Sequence, residues 1–145
     1  MEADDKITSM FTSVVKSMGY SEVHGRVISI LFVADKELSL HDLAKRTGYS
    51  IPSISISLDL LELIGIIKKK KRVGDRKLYV KLNGDLLEGL RRALLLKVQK
   101  ELIITLNELE NCKGKSKGVK KLEKEIKRLE NYINSLAAVK IPEKV

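Results

Sequence analysis

The sequence predicts a mainly α fold with one small β-hairpin, completed by two long C-terminal helices. Three observations carry that prediction. Two short helices joined by a glycine turn are written between Ser39 and Gly65, two alternating strands flank Gly74-Asp75, and apolar seams run from Leu87 to Leu109 and from Val119 to Leu136. These patterns divide the chain into a first domain over residues 1–84, which includes an N-terminal helix, and a helical hairpin over 85–145.

From Asp5 to Met18, Ile7, Met10, Phe11, Val14 and Met18 share one helical face, with Asp4 and Asp5 near the positive end of the helix dipole. Gly19 ends this helix. A second is expected from about Ser21 to Ala34, where Val23, Val27, Ile30, Leu31 and Ala34 line up and Val33 widens the stripe. After the polar break Asp35-Lys36-Glu37, Leu38 suits a short strand, and Ser39 with Asp42 has the spacing of a capping box for a third helix whose inward face is Leu40, Leu43 and Ala44. Gly48 tolerates the positive φ that lets the next helix pack across it.

That next helix is the one the chain is organised around. Ser50 accepts a hydrogen bond from a first-turn N–H, Pro52 needs no intrahelical donor there, and Ile54, Leu58 and Leu61 repeat at i, i+4 and i+7. Its other side offers Pro52, Ser53, Ser55 and Ile56, mostly small side chains that allow a grooved partner to come close. Two strands follow, about Ile66 to Arg72 and Lys77 to Leu82, with Leu78, Val80 and Leu82 alternating with Tyr79 and Lys81. A long helix is then expected from Asp85 to about Glu110, an exposed turn over Asn111 to Gly118, and a last helix in which Val119, Leu122, Ile126, Leu129, Ile133 and Leu136 alternate spacings of three and four.

The net charge of +9 attracts polyanions, and 43% hydrophobic content supports a real core. No apolar run approaches the roughly 20 residues that span a bilayer, and the acidic start is unlike a secretory signal, so a cytoplasmic protein without membrane partners is expected. His24 and His41 are the only histidines and Cys112 the only cysteine. With no phosphate loop or paired carboxylates either, no catalytic residue, metal or cofactor is expected, and Cys112 reads most simply as incidental.

Ala44 at the helix contact, Gly48 at the turn and Ile54 at the buried position resemble the helix-turn-helix of bacterial and archaeal transcription regulators. The run Leu61-Glu62-Leu63-Ile64-Gly65-Ile66-Ile67-Lys68 looks like the lead into the wing of winged-helix proteins. The stretch Gly74-Asp75-Arg76-Lys77-Leu78-Tyr79 closely resembles the wing of the MarR group, and particularly of its GbsR-like branch. The resemblance covers about residues 23–82. It implies a winged helix-turn-helix regulator of double-stranded DNA with long C-terminal dimerisation helices; the twofold axis of a homodimer then predicts a near-palindromic operator, and binding near a promoter, which most simply blocks polymerase, makes a repressor the expectation.

The residues expected at DNA are Lys45 and Arg46, then Ser50, Ile51, Pro52, Ser53, Ser55 and Ile56 on the second helix, and Lys69, Lys71, Arg72, Arg76 and Lys77 on the wing, with Arg76 suited to the minor groove. Lys68 and Lys70 belong to the same basic run, in which alternate residues face opposite ways. The plainer reading of the run is a solvated edge strand protected against aggregation. Between Ser50 and Gly65 there is no Lys or Arg, so base readout falls to serine hydroxyls and to Ile51 or Ile56 against thymine methyls. This also leaves open a sequence-tolerant architectural DNA binder, or a winged-helix module for protein partners.

The long seams either pack on each other or join a second subunit. The second is favoured, with Phe11, Leu94, Val98, Leu102, Leu122, Ile126, Leu129, Ile133 and Leu136 as its interface. The resemblance leaves room for an unidentified small-molecule effector near Phe11, Tyr20, Phe32 or Tyr132, although aromatics at helical spacing are more often plain core.

Overall fold

The computed structural model describes residues 2–112, 114 and 116–144. Met1, Lys113, Lys115 and Val145 lie outside the described residues, and with them part of the turn expected over 111–118. The elements in order are α1 (Glu2–Ser17), α2 (Glu22–Ala34), β1 (Leu38–Ser39), α3 (Leu40–Thr47), α4 (Ile51–Ile64), β2 (Ile67–Lys71), β3 (Leu78–Leu82), α5 (Leu86–Glu110) and α6 (Lys117–Leu136). The chain divides into two compact units, Met1–Leu90 and Arg91–Val145, the division falling within α5.

In the first unit the short strand at Leu38 is recruited to the hairpin, giving an antiparallel sheet of order β1-β3-β2. Val80 is the hub of its register, opposite Leu38 on one side and Lys69 on the other, with Ile67 opposite Leu82 and Lys71 opposite Leu78. Val80 therefore faces the core, where it meets the general layer of Val27, Ile28, Leu31, Leu43, Ile54, Leu58, Leu61 and Ile67, all essentially without solvent contact. This is the mainly helical, winged helix-turn-helix architecture expected from the sequence.

Local chemistry explains where each element starts and stops. The Ser39 hydroxyl accepts the Asp42 N–H at 3.1 Å while the Asp42 carboxylate accepts the Ser39 N–H at 3.4 Å, so two of the N–H groups at the start of α3 are satisfied reciprocally. Gly48 at φ 79° closes α3 with its N–H on the Ala44 carbonyl. Asp35, at φ 50°, turns the chain from α2 toward β1 with its N–H on the Leu31 carbonyl at 3.1 Å. His24 serves the start of α2, its Nδ1 accepting the Ser21 N–H at 3.3 Å.

The seating of α1 differs from what its apolar stripe suggests. Ile7, Met10 and Val14 are exposed, Met10 to 58%, whereas Thr8, Thr12 and Val15 are buried. Close approach is the reason. A Cβ added at Gly25 would lie 2.9 Å from Thr12 Cγ2, so α1 and α2 meet through small side chains. Their hydroxyls are satisfied locally, Thr12 donating to the Thr8 carbonyl and Ser29 to the Gly25 carbonyl, each at 2.6 Å. Phe11 is half-buried beside the exposed Phe32, with ring centroids 6.1 Å apart.

In the second unit, Leu95, Leu102 and Leu109 are buried at intervals of seven. Val119, Ile126 and Ile133 are half-buried at the same interval on α6. The helices are antiparallel and joined by a hydrogen bond from Gln99 Nε2 to Asn134 Oδ1 at 2.9 Å and by another from Arg91 to the Val139 carbonyl. The apolar seams thus form a hairpin within the chain, but part of each stays outside it: Leu94, Leu96, Ile103 and Ile104 on α5, and Leu122, Leu129 and Tyr132 on α6. No helix is long and apolar enough to cross a membrane among the described residues.

Candidate nucleic-acid interface

The α3–α4 pair is set by its turn. Thr47 Oγ1 donates to the Leu43 carbonyl at 2.7 Å and accepts the Tyr49 N–H at 3.2 Å, which fixes the backbone on both sides of Gly48. Ser50 then caps α4 by accepting the Ser53 N–H at 3.3 Å, and its own hydroxyl donates to Ser53 Oγ at 3.0 Å. Ile54, Ser57, Leu58, Leu61 and Ile64 hold α4 on the core. Pro52, Ile56, Asp59 and Leu63, at i, i+4, i+7 and i+11, form its outer edge, with Ser53 and Glu62 beside them.

The wing is fastened to α4 by one lysine. Lys69 forms an ion pair with Asp59, its ammonium is 3.7 Å from Glu62, and its backbone N–H donates to the other Glu62 oxygen at 3.4 Å. Asp59 holds that ammonium above the usual lysine range. The two acidic groups on the outer side of α4 are thereby compensated from within the fold.

The wing's outer face carries a second cluster. Strand register places Lys68 opposite Lys81 and Lys70 opposite Tyr79. The Arg72 guanidinium stacks on the Tyr79 ring, 3.7 Å from its centroid, and donates to Glu37 Oε1 at 2.9 and 2.5 Å. Tyr79 donates its hydroxyl to Asp75 at 2.8 Å, and Asp75 also accepts the Lys77 N–H at 2.8 Å. Glu37 is held below the ordinary carboxylate range chiefly by the Arg72 hydrogen bond, and Asp75 chiefly by the Lys77 amide. Arg76 and Lys77 are exposed at the turn these bonds shape.

A solved transcriptional regulator superposes on the chain with a TM-score of 0.67, covering 94% of this chain and 96% of its own at 20% identity. The chain has a transcriptional regulator's fold. Two further regulators match at TM-scores too low to bear on the arrangement: PA4135, at 0.48 and 26% identity over 77% of this chain and 93% of its own, and NadR, solved with 4-hydroxyphenylacetate, at 0.47 and 20% identity over 96% and 89%. No protein-family model and no curated protein matches the chain.

Within this fold the residues singled out from sequence lie on the surface of the α3–α4 pair and the wing, in different states. Lys45 and Arg46 are exposed at the end of α3, and Pro52, Ser53 and Ile56 are exposed on α4. Ile51 is 38% exposed against 72% for Ile56, Ser55 is half-buried, and Ser50 is engaged as the cap. Lys69 is turned to α4 and Arg72 is bound to Glu37, while Lys71, Arg76 and Lys77 project. Lys68, Lys70 and Lys81 share the outer face instead. Parity counted from the apolar Ile67 separates these lysines, because 69 and 71 fall on its side of the pleat and 68 and 70 on the other.

A cleft of about 470 Å³ lies between α1, α2 and α3, lined by Asp4, Asp5, Thr8, Arg26, Ile30, Val33, Ala34 and Arg46. Of the aromatic residues considered for an effector, Phe11 and Phe32 are adjacent, Tyr20 is buried edge-on to His24 with centroids 6.1 Å apart, and Tyr132 is an exposed residue of the second unit. Among the described residues no group of three or more His, Cys, Asp or Glu side chains is placed to hold a metal ion. Cys112 is exposed at the end of α5.

Proposed function

We propose that the chain is a MarR-type regulator of the GbsR-like branch, a cytoplasmic repressor that binds double-stranded DNA as a homodimer at a near-palindromic operator. The observation that carries this reading is the pairing of a neutralised helix with a cationic hairpin. Pro52, Ser53 and Ile56 stand out from α4 with Asp59 and Glu62 compensated by Lys69, next to a wing from which Lys71, Arg76 and Lys77 project and whose outer face carries Lys68, Lys70 and Lys81. Phosphate contacts from the wing position the protein and side chains of α4 meet base edges.

Homodimer formation is supported by the apolar side chains each unit leaves in water: Ile7, Met10, Val14 and Phe32 in the first, Leu94, Ile103, Ile104, Leu122, Leu129 and Tyr132 in the second. Two copies related by a twofold axis read half-sites about 34 Å apart on one duplex face. Blocking polymerase is the simplest consequence of binding near a promoter, hence repression. The cleft between α1, α2 and α3 offers room for a small-molecule effector whose identity its mixed charges do not specify.

One observation favours a second reading: α4 presents no cation, which suits a sequence-tolerant architectural DNA binder. Salt-titrated binding to genomic fragments with competitor DNA separates the two. Footprints confined to a few near-palindromic sites support the regulator, and uniform coating supports the architectural protein. No retention at low salt removes both and leaves a module for protein partners.

A further inference from the structure

The outer edge of α4 is unusual for a surface that approaches a polyanion. Its largest projecting side chain in the N-terminal half is an aliphatic one, Ile56, 72% exposed, while Ile51 is turned partly away at 38%. The polar side chains near it are short, and Ser53 Oγ accepts the Ser50 hydroxyl, which leaves its own proton to donate. Three residues farther on, about 4.5 Å along the axis, Asp59 is an anion paired with Lys69 and supplies no donor to a base. A helix so furnished cannot make the two-pronged arginine contact to guanine. The most exposed apolar group of its N-terminal half is the sec-butyl side chain of Ile56, and the matching feature of a base edge in the major groove is the thymine C5 methyl.

We infer that Ile56 is a specificity-determining residue that reads a thymine methyl in each half-site, so that each half-site carries a T·A pair where the middle of α4 meets it. This rests on the proposed DNA-binding role and deepens it. Burial of one methyl against Ile56 contributes about fourfold in affinity per half-site, the equivalent of about 0.8 kcal/mol.

The test uses the full-length chain and a duplex carrying a site it footprints, with each thymine replaced in turn by uracil, which removes the methyl and leaves every hydrogen-bonding edge intact. Symmetric replacement at one position is expected to weaken binding by about the square of that factor, on the order of tenfold. In Ile56→Ala the same replacement changes nothing, because the surface substitution has already removed the contact. Wild-type indifference to uracil at every position overturns the methyl readout while leaving DNA binding in place, and so does an equal loss in wild type and Ile56→Ala. A chain that retains no duplex at low salt overturns the DNA-binding role and the readout together.

Discussion

Gly25 and Thr12 touch so closely that a methyl group has no room between them: a Cβ on Gly25 would stand 2.9 Å from Thr12 Cγ2 and 3.1 Å from that residue's Cα and carbonyl oxygen. This crossing sets the rotation of α1, and through it leaves Ile7, Met10 and Val14 in water. Gly25→Ala gains about 0.5–1 kcal/mol of helix propensity but overpacks the crossing, which costs about 1–3 kcal/mol. The expected outcome is a net loss of stability in urea unfolding, and a variant as stable as wild type would show that α1 slides freely on α2.

Lys69 holds the wing to α4 by ion pairs near the surface, which are worth at most about 1 kcal/mol each. Lys69→Met is therefore expected to fold normally. It uncovers Asp59 and Glu62 toward phosphate, so duplex affinity should fall severalfold, more steeply at low salt where repulsion is least screened. Asp59→Asn works the other way and should strengthen binding to any sequence. Gel-shift titrations of both variants check the pair, and a shift of the same sign in the two would remove the argument.

In the proposed function the wing and α4 divide the work. Arg76→Ala should weaken binding to every sequence and lower the salt slope by about one, whereas Ser53→Ala should change which sites are preferred. If the proposed dimer makes roughly six to ten phosphate contacts, wild-type affinity should fall on the order of a thousandfold or more between about 50 and 200 mM salt. Equal effects of Arg76→Ala and Ser53→Ala across sequences would end that division.

The proposed dimer surface and the intrachain hairpin can be broken separately. Leu129 is 42% exposed, while Ile133 is half-buried on the side of α6 in step with Leu95, Leu102 and Leu109. Leu129→Glu is expected to give a monomer with full helix content and poor operator affinity. Ile133→Glu should lose helix as well. Light scattering with circular dichroism distinguishes them, and an unchanged dimer mass in Leu129→Glu places the interface elsewhere.

Acid should loosen the wing and the α3 cap together. Glu37, Asp42 and Asp75 all have lowered folded-state pKa values, through the Arg72, Ser39 and Lys77 hydrogen bonds respectively. A lowered carboxylate contributes stability that is present above its unfolded pKa, near 4, and is lost as pH falls through the lower folded value. Thermal melts should therefore be flat from neutral pH down to about 5 and then decline, and Glu37→Gln, Asp42→Asn and Asp75→Asn combined should flatten the decline. An acid limb unchanged in the triple variant would assign it to other groups.

Caps and turns were the most readable part of this chain. Ser39 with Asp42, Gly48, and Ser50 with Pro52 each mark a boundary through bonds made within four residues, so their chemistry is complete in the local sequence. Strand parity is nearly as plain, and the pairing of Lys69 with Val80 and of Lys71 with Leu78 puts both on the Ile67 side of the pleat, apart from Lys68 and Lys70. Asp59 read as a charge that would repel phosphate, and only its lysine ten residues away changes that.

What the sequence determined by itself is the succession of helices, the turn, the hairpin and the basic run, because helix caps, glycine conformations and apolar periodicity act over one or two turns of chain. Tertiary structure decided which face of each element is spent on the core. The stripe on α1 stays outside because Gly25 admits Thr12, and the seam of α6 is split, with Val119, Ile126, Ile133 and Leu136 half-buried and Leu122 and Leu129 exposed. Both outcomes depend on how near two backbones can come, a distance set by side chains far apart in the chain and invisible to periodicity.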